Sequence, residues 1–517
     1  MSASADTVAA APPAVAQRAL VAGALALGTF MQVLDTTIAN VSVPTIAGNL
    51  GVSSDQGTWV ITSFAVANGI SVPLTGWLMQ RMGVVRVFVV SVLLFTIASF
   101  LCGAAWSLPS LVMFRLLQGA VSGPMIPGSQ TLLLSIFPPQ KKGIALAIWS
   151  MTTLVAPICG PIMGGYISDN YSWPWIFYIN VPVGLICAAV CWQGLKHRET
   201  PTRKLPIDTV GLGLLIVWVG TLQLMLDTGK DRDWFSDPMI VAAAIVSAVS
   251  FVAFIIWELG EKHPIIDLSL FRNPNFSIGV LIFCVGYALF FGAVVLQPLW
   301  MQSWLGYNAT WAGLVAAPSG VVAVLLSPFV GKYLDRVDPR IFATVAFVAF
   351  GTSYFMRAGY TADASFGAFV MPLLVQGIAM SMFFVSMLNI IFDGVPGPRI
   401  PAASGVSNFL RITSGAFATS IVTTFWDRHA ALHQTRLAEA TSAYDIRLQQ
   451  AMENLHGLGL SDGQSLATLA RTLGGQAYLM SALDFFWISG WLSFAAIALV
   501  WLTKRPRGGG VGPVAAD

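Results

Sequence analysis

Asp35 lies inside the first long apolar run of the chain, AGALALGTFMQVLDTTIANVSVPTIAG. A charge at bilayer depth costs roughly 2.5 to 3.5 kcal/mol on insertion scales, so a carboxylate kept there points to a functional role such as proton exchange and asks for a partner. One cation stands at a similar depth: Arg115, in LPSLVMFRLLQGAVSG. At 1.5 Å rise per residue Asp35 is about 22 Å up a core of about 30 Å, and Arg115 about 10 Å below its far surface, so the two can be level. A guanidinium does not release its proton at any working pH, so a proton exchanged by the pair must sit on Asp35. The other reading is a permanent salt bridge that fixes packing.

Polar groups surround both residues at helical spacing. Gln32, Thr36 and Asn40 fall with Asp35 within an arc of about 140° at 100° per residue, a stripe expected to face a cavity. Arg115, Gln118, Gly119 and Ser122 stand at i, i+3, i+4 and i+7, also one face, where Gln118 and Ser122 line a path or tie helices together. Trp59, Asn68 and Trp149 are further candidates for the cavity wall. In the fifth apolar run Ala156, Gly160 and Gly164 repeat every four residues beside Pro157, Pro161 and Gly165. Small residues allow close backbone approach and proline bends a helix, which suits an element that seals one side of a pathway and rocks against its neighbour.

These residues must be held by membrane-spanning helices. Of 517 residues 56% are hydrophobic and only 10% charged, and the mean hydropathy of +0.73 excludes a water-soluble globular chain. Apolar runs long enough to cross a bilayer recur fourteen times, giving an all-α membrane protein with 14 transmembrane helices. An even number places both termini on one side. Most of the 27 Lys and Arg then fall in loops of that side, which marks it as cytoplasmic. Gly76, Arg81, Gly83 and Arg86 form a tight basic turn in one such loop. Residues 1–18 and 503–517 read as disordered cytoplasmic tails, and no signal-peptide cleavage site follows the N-terminus. All five cysteines sit in apolar runs as small hydrophobes, implying neither a disulfide framework nor a metal site. The small net charge of +3 gives no support for nucleic-acid binding. Neither a phosphate-binding G-x-x-x-x-G-K-[ST] loop nor an H-E-x-x-H zinc pair occurs, so no cofactor is implied.

The chain also repeats itself weakly. GWLMQRMGVVR from Gly76 is echoed by GKYLDRVDPR from Gly331, LLQG at Leu116 by LVQG at Leu374, and PPQKK at Pro138 by PGPRI at Pro396. Three ordered echoes at nearly equal offsets indicate two related halves, as in secondary transporters. The expected organisation is a six-helix bundle over 19–200, an inserted pair of helices over 201–262, and a second six-helix bundle over 263–502 with an outer loop at 427–478.

LDTTIANVSVP after Leu34, the GWLMQRMG loop, RLLQG after Arg115 and APICGPIMGG after Ala156 resemble the four signature motifs of the fourteen-span drug:proton antiporters of the major facilitator superfamily. ISDNYSWPWIFYINVPVG, LDTGKDRDWF and PIIDLSLFRNPNF extend the likeness to the inner-membrane component of Gram-negative tripartite multidrug pumps. The resemblance implies proton-coupled export of small hydrophobic or amphipathic drugs across the bacterial inner membrane, with a periplasmic membrane-fusion adaptor and an outer-membrane channel as partners. It makes Pro157, Gly160, Pro161, Gly164 and Gly165 the antiporter motif, and the loop at Gly76, Arg81, Gly83 and Arg86 a latch between the halves. One departure stands in that loop: the superfamily's usual acid is replaced by Gln80, whereas the second half keeps Asp335 before Arg336.

The outer loop from Asp427 to Tyr478 is long and polar, with helical stretches such as RHAALHQTRLAEA, and is the expected docking surface for an adaptor. His429 and His433 share a helical face there; with no third ligand nearby in the sequence they read as a solvated face. Two other functions fit the same residues: export of one endogenous metabolite or siderophore, and a membrane sensor or scaffold that moves no solute.

Overall fold

The computed structural model describes residues 15–138, 141–334, 336–439 and 446–505. Among them there is no strand. The chain runs as α1 (Val15–Leu50), α2 (Ser54–Gly57), α3 (Trp59–Ser71), α4 (Thr75–Met82), α5 (Val84–Gly103), α6 (Leu108–Ser122), α7 (Met125–Ile136), α8 (Lys142–Asn170), α9 (Trp175–Tyr178), α10 (Asn180–Leu195), α11 (Thr209–Thr228) and α12 (Pro238–Gly260). It continues as α13 (Pro274–Trp304), α14 (Ala309–Tyr333), α15 (Pro339–Arg357), α16 (Phe366–Ile391), α17 (Ile400–Glu439), α18 (Ile446–Gly457) and α19 (Asp462–Trp501).

Helix starts follow from local chemistry. Asp237, Asn273 and Asp338 each accept a backbone N–H in the first turn and precede a proline at the first helical position, where a missing N–H costs nothing. Ser107 and Ser110 form a capping box that starts α6.

Among the described residues ten helices are long and apolar enough to cross a membrane, and the pair α3–α4, bent by 57° beside Pro73, makes an eleventh span. Three further rods complete the bundle: α6 continued by α7 across a break at Gly123 and Pro124, α15, and α17. These three carry Arg115, Arg357 and Arg411, the buried arginines of the interior.

The helical stretches expected in the outer loop take up most of it. Most of residues 427–478 is helical: α17 runs on to Glu439, α19 begins at Asp462, and α18 lies between them. At 1.5 Å per residue a 40-residue helix is about 60 Å long, twice the membrane core, so both helices project well beyond it. Residues 440–445 lie outside the described residues, as do most of both terminal tails.

In the first half α1 packs between α8 and α10, α3 packs on α6, and α5 on α6, α7 and α10. In the second, α13 packs with α16, α17 and α19, and α15 with α16 and α19. The halves meet chiefly where α8 lies along α14, and again where α17 meets α4 and α7. The hairpin α11–α12 sits at the side, with α11 touching α3 and α17.

Candidate functional site

Asp35 and Arg115 do meet. Arg115 Nη1 stands 2.6 Å from Asp35 Oδ2, and neither side chain has any solvent exposure. The same Nη1 donates to Gln118 Oε1 at 2.7 Å, Gln118 Nε2 donates to Asp35 Oδ1 at 3.0 Å, and Asn180 Nδ2 reaches that oxygen at 2.8 Å. Arg115 Nε donates to the Val60 carbonyl at 3.0 Å, and the guanidinium carbon lies 4.3 Å from the Phe64 ring centre. The carboxylate therefore receives three donors from α6 and α10. Such satisfaction is what keeps a buried ion pair affordable in free energy.

Asn180 was not among the residues chosen from sequence, nor was Ser99, which accepts from Asn180 at 3.0 Å. The available signal was an asparagine within the apolar run YINVPVG.

The polar stripe of α1 divides. Gln32, Thr36 and Asn40 line a cavity of about 440 Å³ between the halves, as does Asn68 of α3. Asp35, at the edge of the arc, turns the other way into the first half. Gln118 is buried with it, and Asn68 donates to Ser122 at 2.7 Å. Two wall candidates are corrected. Trp149 is wholly buried in the hydrophobic core, and Trp59 lies exposed at the start of α3; neither lines this cavity.

Further charged groups that sequence reading did not choose as site residues line the cavities. Asp227 of α11 and Arg411 of α17 line the larger cavity, together with Lys230 and Asp231 at its mouth. Arg411 donates to Asn408 Oδ1 at 3.2 and 3.3 Å and lies 4.7 Å from the Tyr287 ring centre. A second cavity of about 290 Å³ adjoins the first, sharing Thr37, Asn40, Pro157, Phe290 and Phe291, and is lined by Arg357 of α15.

At the end of the bundle holding the described termini the halves are in contact. A side chain added at Gly143 would strike the Gly331 carbonyl, and one at Gly76 would meet Ala402 at 3.0 Å. Slightly deeper, Asn408 Nδ2 donates to Gln130 Oε1 at 3.0 Å, and Ser404 bonds the same oxygen. The larger cavity has Thr58, Lys230 and Asp231 from the opposite end in its wall, so it opens there.

α8, with Pro157, Gly160, Gly164 and Gly165, is the seam helix. Gly160 abuts Thr37 and Gly164 abuts Ile38 of α1, while Ile158 and Ile162 meet Gly320 and Gly313 of α14. Pro157 lines both cavities. The side chain of Pro161 lies outside the described residues.

In the basic turn Gly76 of α4 packs against Ala402 of the second half. Arg81 bonds the Leu205 carbonyl, Arg86 Nε is 4.0 Å from Glu199, and Gly83, at φ +93°, has Glu199 packed where a side chain would go. Backbone N–H groups of Val85 and Arg86 donate to Glu199 at 3.0 and 2.9 Å. These contacts dock the turn onto the connection leading to α11. In the second half Asp335 lies outside the described residues. Arg336 sits in the α14–α15 turn, where its N–H donates to Tyr333, and hydrogen bonds from the Arg340 side chain hold the nearby Asp338 carboxyl below its ordinary range.

The histidine pair is also corrected. Asp484 of α19 supplies the third group that sequence spacing hides: its Oδ2 is 2.7 Å from His433 Nε2 and 3.5 Å from His429 Nδ1. The three form a clasp between α17 and α19, and His429 stacks on Phe425 at 3.8 Å between ring centres.

The Major Facilitator Superfamily model matches residues 25–419. The chain belongs to that superfamily. Within it, the chain is 48% identical over 499 residues to the multidrug export protein EmrB of Escherichia coli strain K12, covering 96% of this chain and 97% of that one. It is 47% identical over 488 residues to the fatty acid resistance protein FarB of Neisseria gonorrhoeae, covering 94% and 96%. These relatives place this superfamily member in the EmrB branch that the sequence motifs resemble. The crystal structure of the human organic anion transporter MFSD10 shares the fold, with a TM-score of 0.56 at 12% identity over 93% of this chain and 99% of that one. This member of the superfamily is a multi-pass membrane protein.

Proposed function

We propose that the protein is a proton-coupled antiporter, not an enzyme, exporting hydrophobic or amphipathic compounds from the cytoplasm or inner leaflet of a bacterial inner membrane. The single observation that carries this is the fully buried Asp35–Arg115 pair on a helix whose other face lines the cavity between the halves. Relatives named for multidrug export and fatty acid resistance support the class of cargo.

The coupling resides in α1. With Asp35 ionised, Arg115, Gln118 and Asn180 hold α1 against α6 and α10. A proton on Asp35 removes the charge attraction and turns one acceptor oxygen into a donor, loosening that hold. The cavity face of α1, with Gln32, Thr36 and Asn40, then shifts with it, and α8 slides on its glycine contacts. With both termini in the cytoplasm, the described form is the outward-open one and Asp35 is reloaded from the acidic side. One proton crossing 100 mV supplies about 2.3 kcal/mol, and each pH unit about 1.4 kcal/mol, so one or two protons per cycle sustain a large drug gradient.

The two six-helix bundles over 19–200 and 263–502, with the inserted pair over 201–262, form the rocking units. The projecting parts of α17 and α19 dock a periplasmic membrane-fusion adaptor that leads to an outer-membrane channel, with the α17–α19 clasp bracing that surface. The deciding experiment is proton-driven dye efflux in proteoliposomes with wild type and Asp35→Asn. Uphill efflux abolished in the variant is the expected result; efflux at the wild-type rate sinks the scheme.

A further inference from the structure

Among the described residues Arg357 is a buried charge outside every ion pair. It is 1% exposed, and its Nε and Nη2 atoms are buried without a hydrogen-bond partner among the described residues. Among the described residues no carboxylate forms an ion pair with it; the Tyr354 and Phe486 rings lie 5.7 and 5.5 Å from the guanidinium carbon. Among the described residues it is also the sole charged one lining the cavity of about 290 Å³. Gln297 and Gln376 line the same cavity with buried amide oxygens that have no partner. Thr37, Asn40, Gln302 and Ser319 add uncharged polar groups, and most of the remaining wall is apolar, including Phe290, Leu373 and Met380.

An arginine withdrawn from water without an anion is costly by several kcal/mol, and rings recover only part of that cost. Planar donors in a fork match a carboxylate, and amides that can rotate supply further N–H groups to it. The cavity, near the low end of the range of about 300 to 1,000 Å³ usual for small-ligand sites, continues into the larger cavity for an apolar tail.

From these observations we propose that the smaller cavity is a binding site for single-chain anionic amphiphiles, with the acid group on Arg357 and the chain along Phe290, Leu373 and Met380. This deepens the efflux reading by naming a substrate class for the second-half end of the same pathway, and rests on that reading only for the claim that the ligand is cargo.

The test uses full-length protein in phosphatidylcholine nanodiscs, with empty discs as the partition control, and compares dodecanoate, dodecanamide and dodecylamine. Wild type is expected to bind dodecanoate about ten- to a hundredfold more tightly than dodecanamide, the range of a charge-assisted hydrogen-bonded pair. Arg357→Gln should erase that preference while still binding dodecanamide, which also reports that the variant is folded; Arg357→Lys should keep part of it. Equal affinities of wild type for all three ligands overturn the proposal whether or not any variant folds. A preference that survives in Arg357→Gln overturns it too. Loss of dodecanoate binding when phosphatidylglycerol replaces phosphatidylcholine assigns the site to a lipid headgroup and overturns the single-chain assignment. Proton-driven efflux of an uncharged dye by the wild type is run in parallel. Efflux without acid preference strikes this inference alone, and acid preference without efflux strikes the antiport reading alone.

Discussion

The two halves handle a buried arginine in opposite ways. In the first, Arg115 has an acid, an amide and a backbone carbonyl within hydrogen-bond reach, and sits in packed protein away from both cavities. In the second, Arg357 has aromatic rings for neighbours and lines a cavity. The internal repeat sharpens the contrast. By the offset from Gly76 to Gly331, Asp35 corresponds to Phe290; by that from Leu116 to Leu374, Arg115 corresponds to Leu373 and Gln118 to Gln376. Those three second-half residues all line the cavity beside Arg357. One half thus neutralises its charge internally, and the other leaves a charge open to a ligand. On the proposed scheme, such a division lets one side of a carrier hold the coupling proton while the other meets cargo.

The largest effects should come from splitting the first-half pair. Asp35→Leu or Arg115→Leu alone leaves a buried charge uncompensated and should destabilise by about 3–5 kcal/mol, read as a fall in melting temperature in detergent. The double variant should return to near wild-type stability yet transport nothing. A double variant no more stable than the singles would break the comparison, because the pair would not then be the unit.

Arg357→Leu should have the opposite sign. No partner is orphaned and an uncompensated charge is removed, so melting should stay level or rise, by up to about 1–4 kcal/mol. A fall as deep as that of Arg115→Leu would mean that Arg357 has a compensating contact.

A smaller effect separates the two faces of α8. Gly160→Ala drives a methyl into Thr37, including its backbone carbon at 3.0 Å, and should cost about 1–3 kcal/mol and slow transport. Gly320→Ala meets only the flexible end of Ile158 at 2.6 Å, and should cost less. Equal costs in thermal melts would show that α8 is held no more tightly on α1 than on α14.

Smallest is Asp338→Asn, at the turn between α14 and α15. The Arg340 hydrogen bonds depress the carboxyl in the folded state, so its contribution is present above the unfolded value of about 3.9 and lost as pH falls through the folded value. The variant should melt slightly below wild type at pH 7, by less than about 1 kcal/mol, and the gap should close in acid below about pH 4. A gap that widens in acid would reverse the assignment.

Part of this was legible in residue order alone. Apolar runs of bilayer length, proline after Asp or Asn at helix starts, and the isolated charges Asp35 and Arg115 are local or periodic signals, and the helices and the pair follow them. Asn180, Asp227 and Arg357 were illegible for a different reason. Each is a single polar residue in or at the end of an apolar run, and nothing near it in sequence says which neighbour it will face. The direction of Asp35 shows the same limit: a stripe 140° wide is seen at 100° per residue, but whether its edge points to the cavity or to α6 depends on the tilt and rotation of α1 among its neighbours.

Chain order therefore determined that this is a many-helix membrane protein with two related halves and an acid held deep in its first span, because lipid obliges spanning segments to be mostly apolar and internally hydrogen-bonded. Tertiary packing decided which charges are paired and which are left facing a cavity. Electrostatic partnership depends on distances of a few ångströms between helices far apart in sequence, and those distances exist only once the bundle has closed.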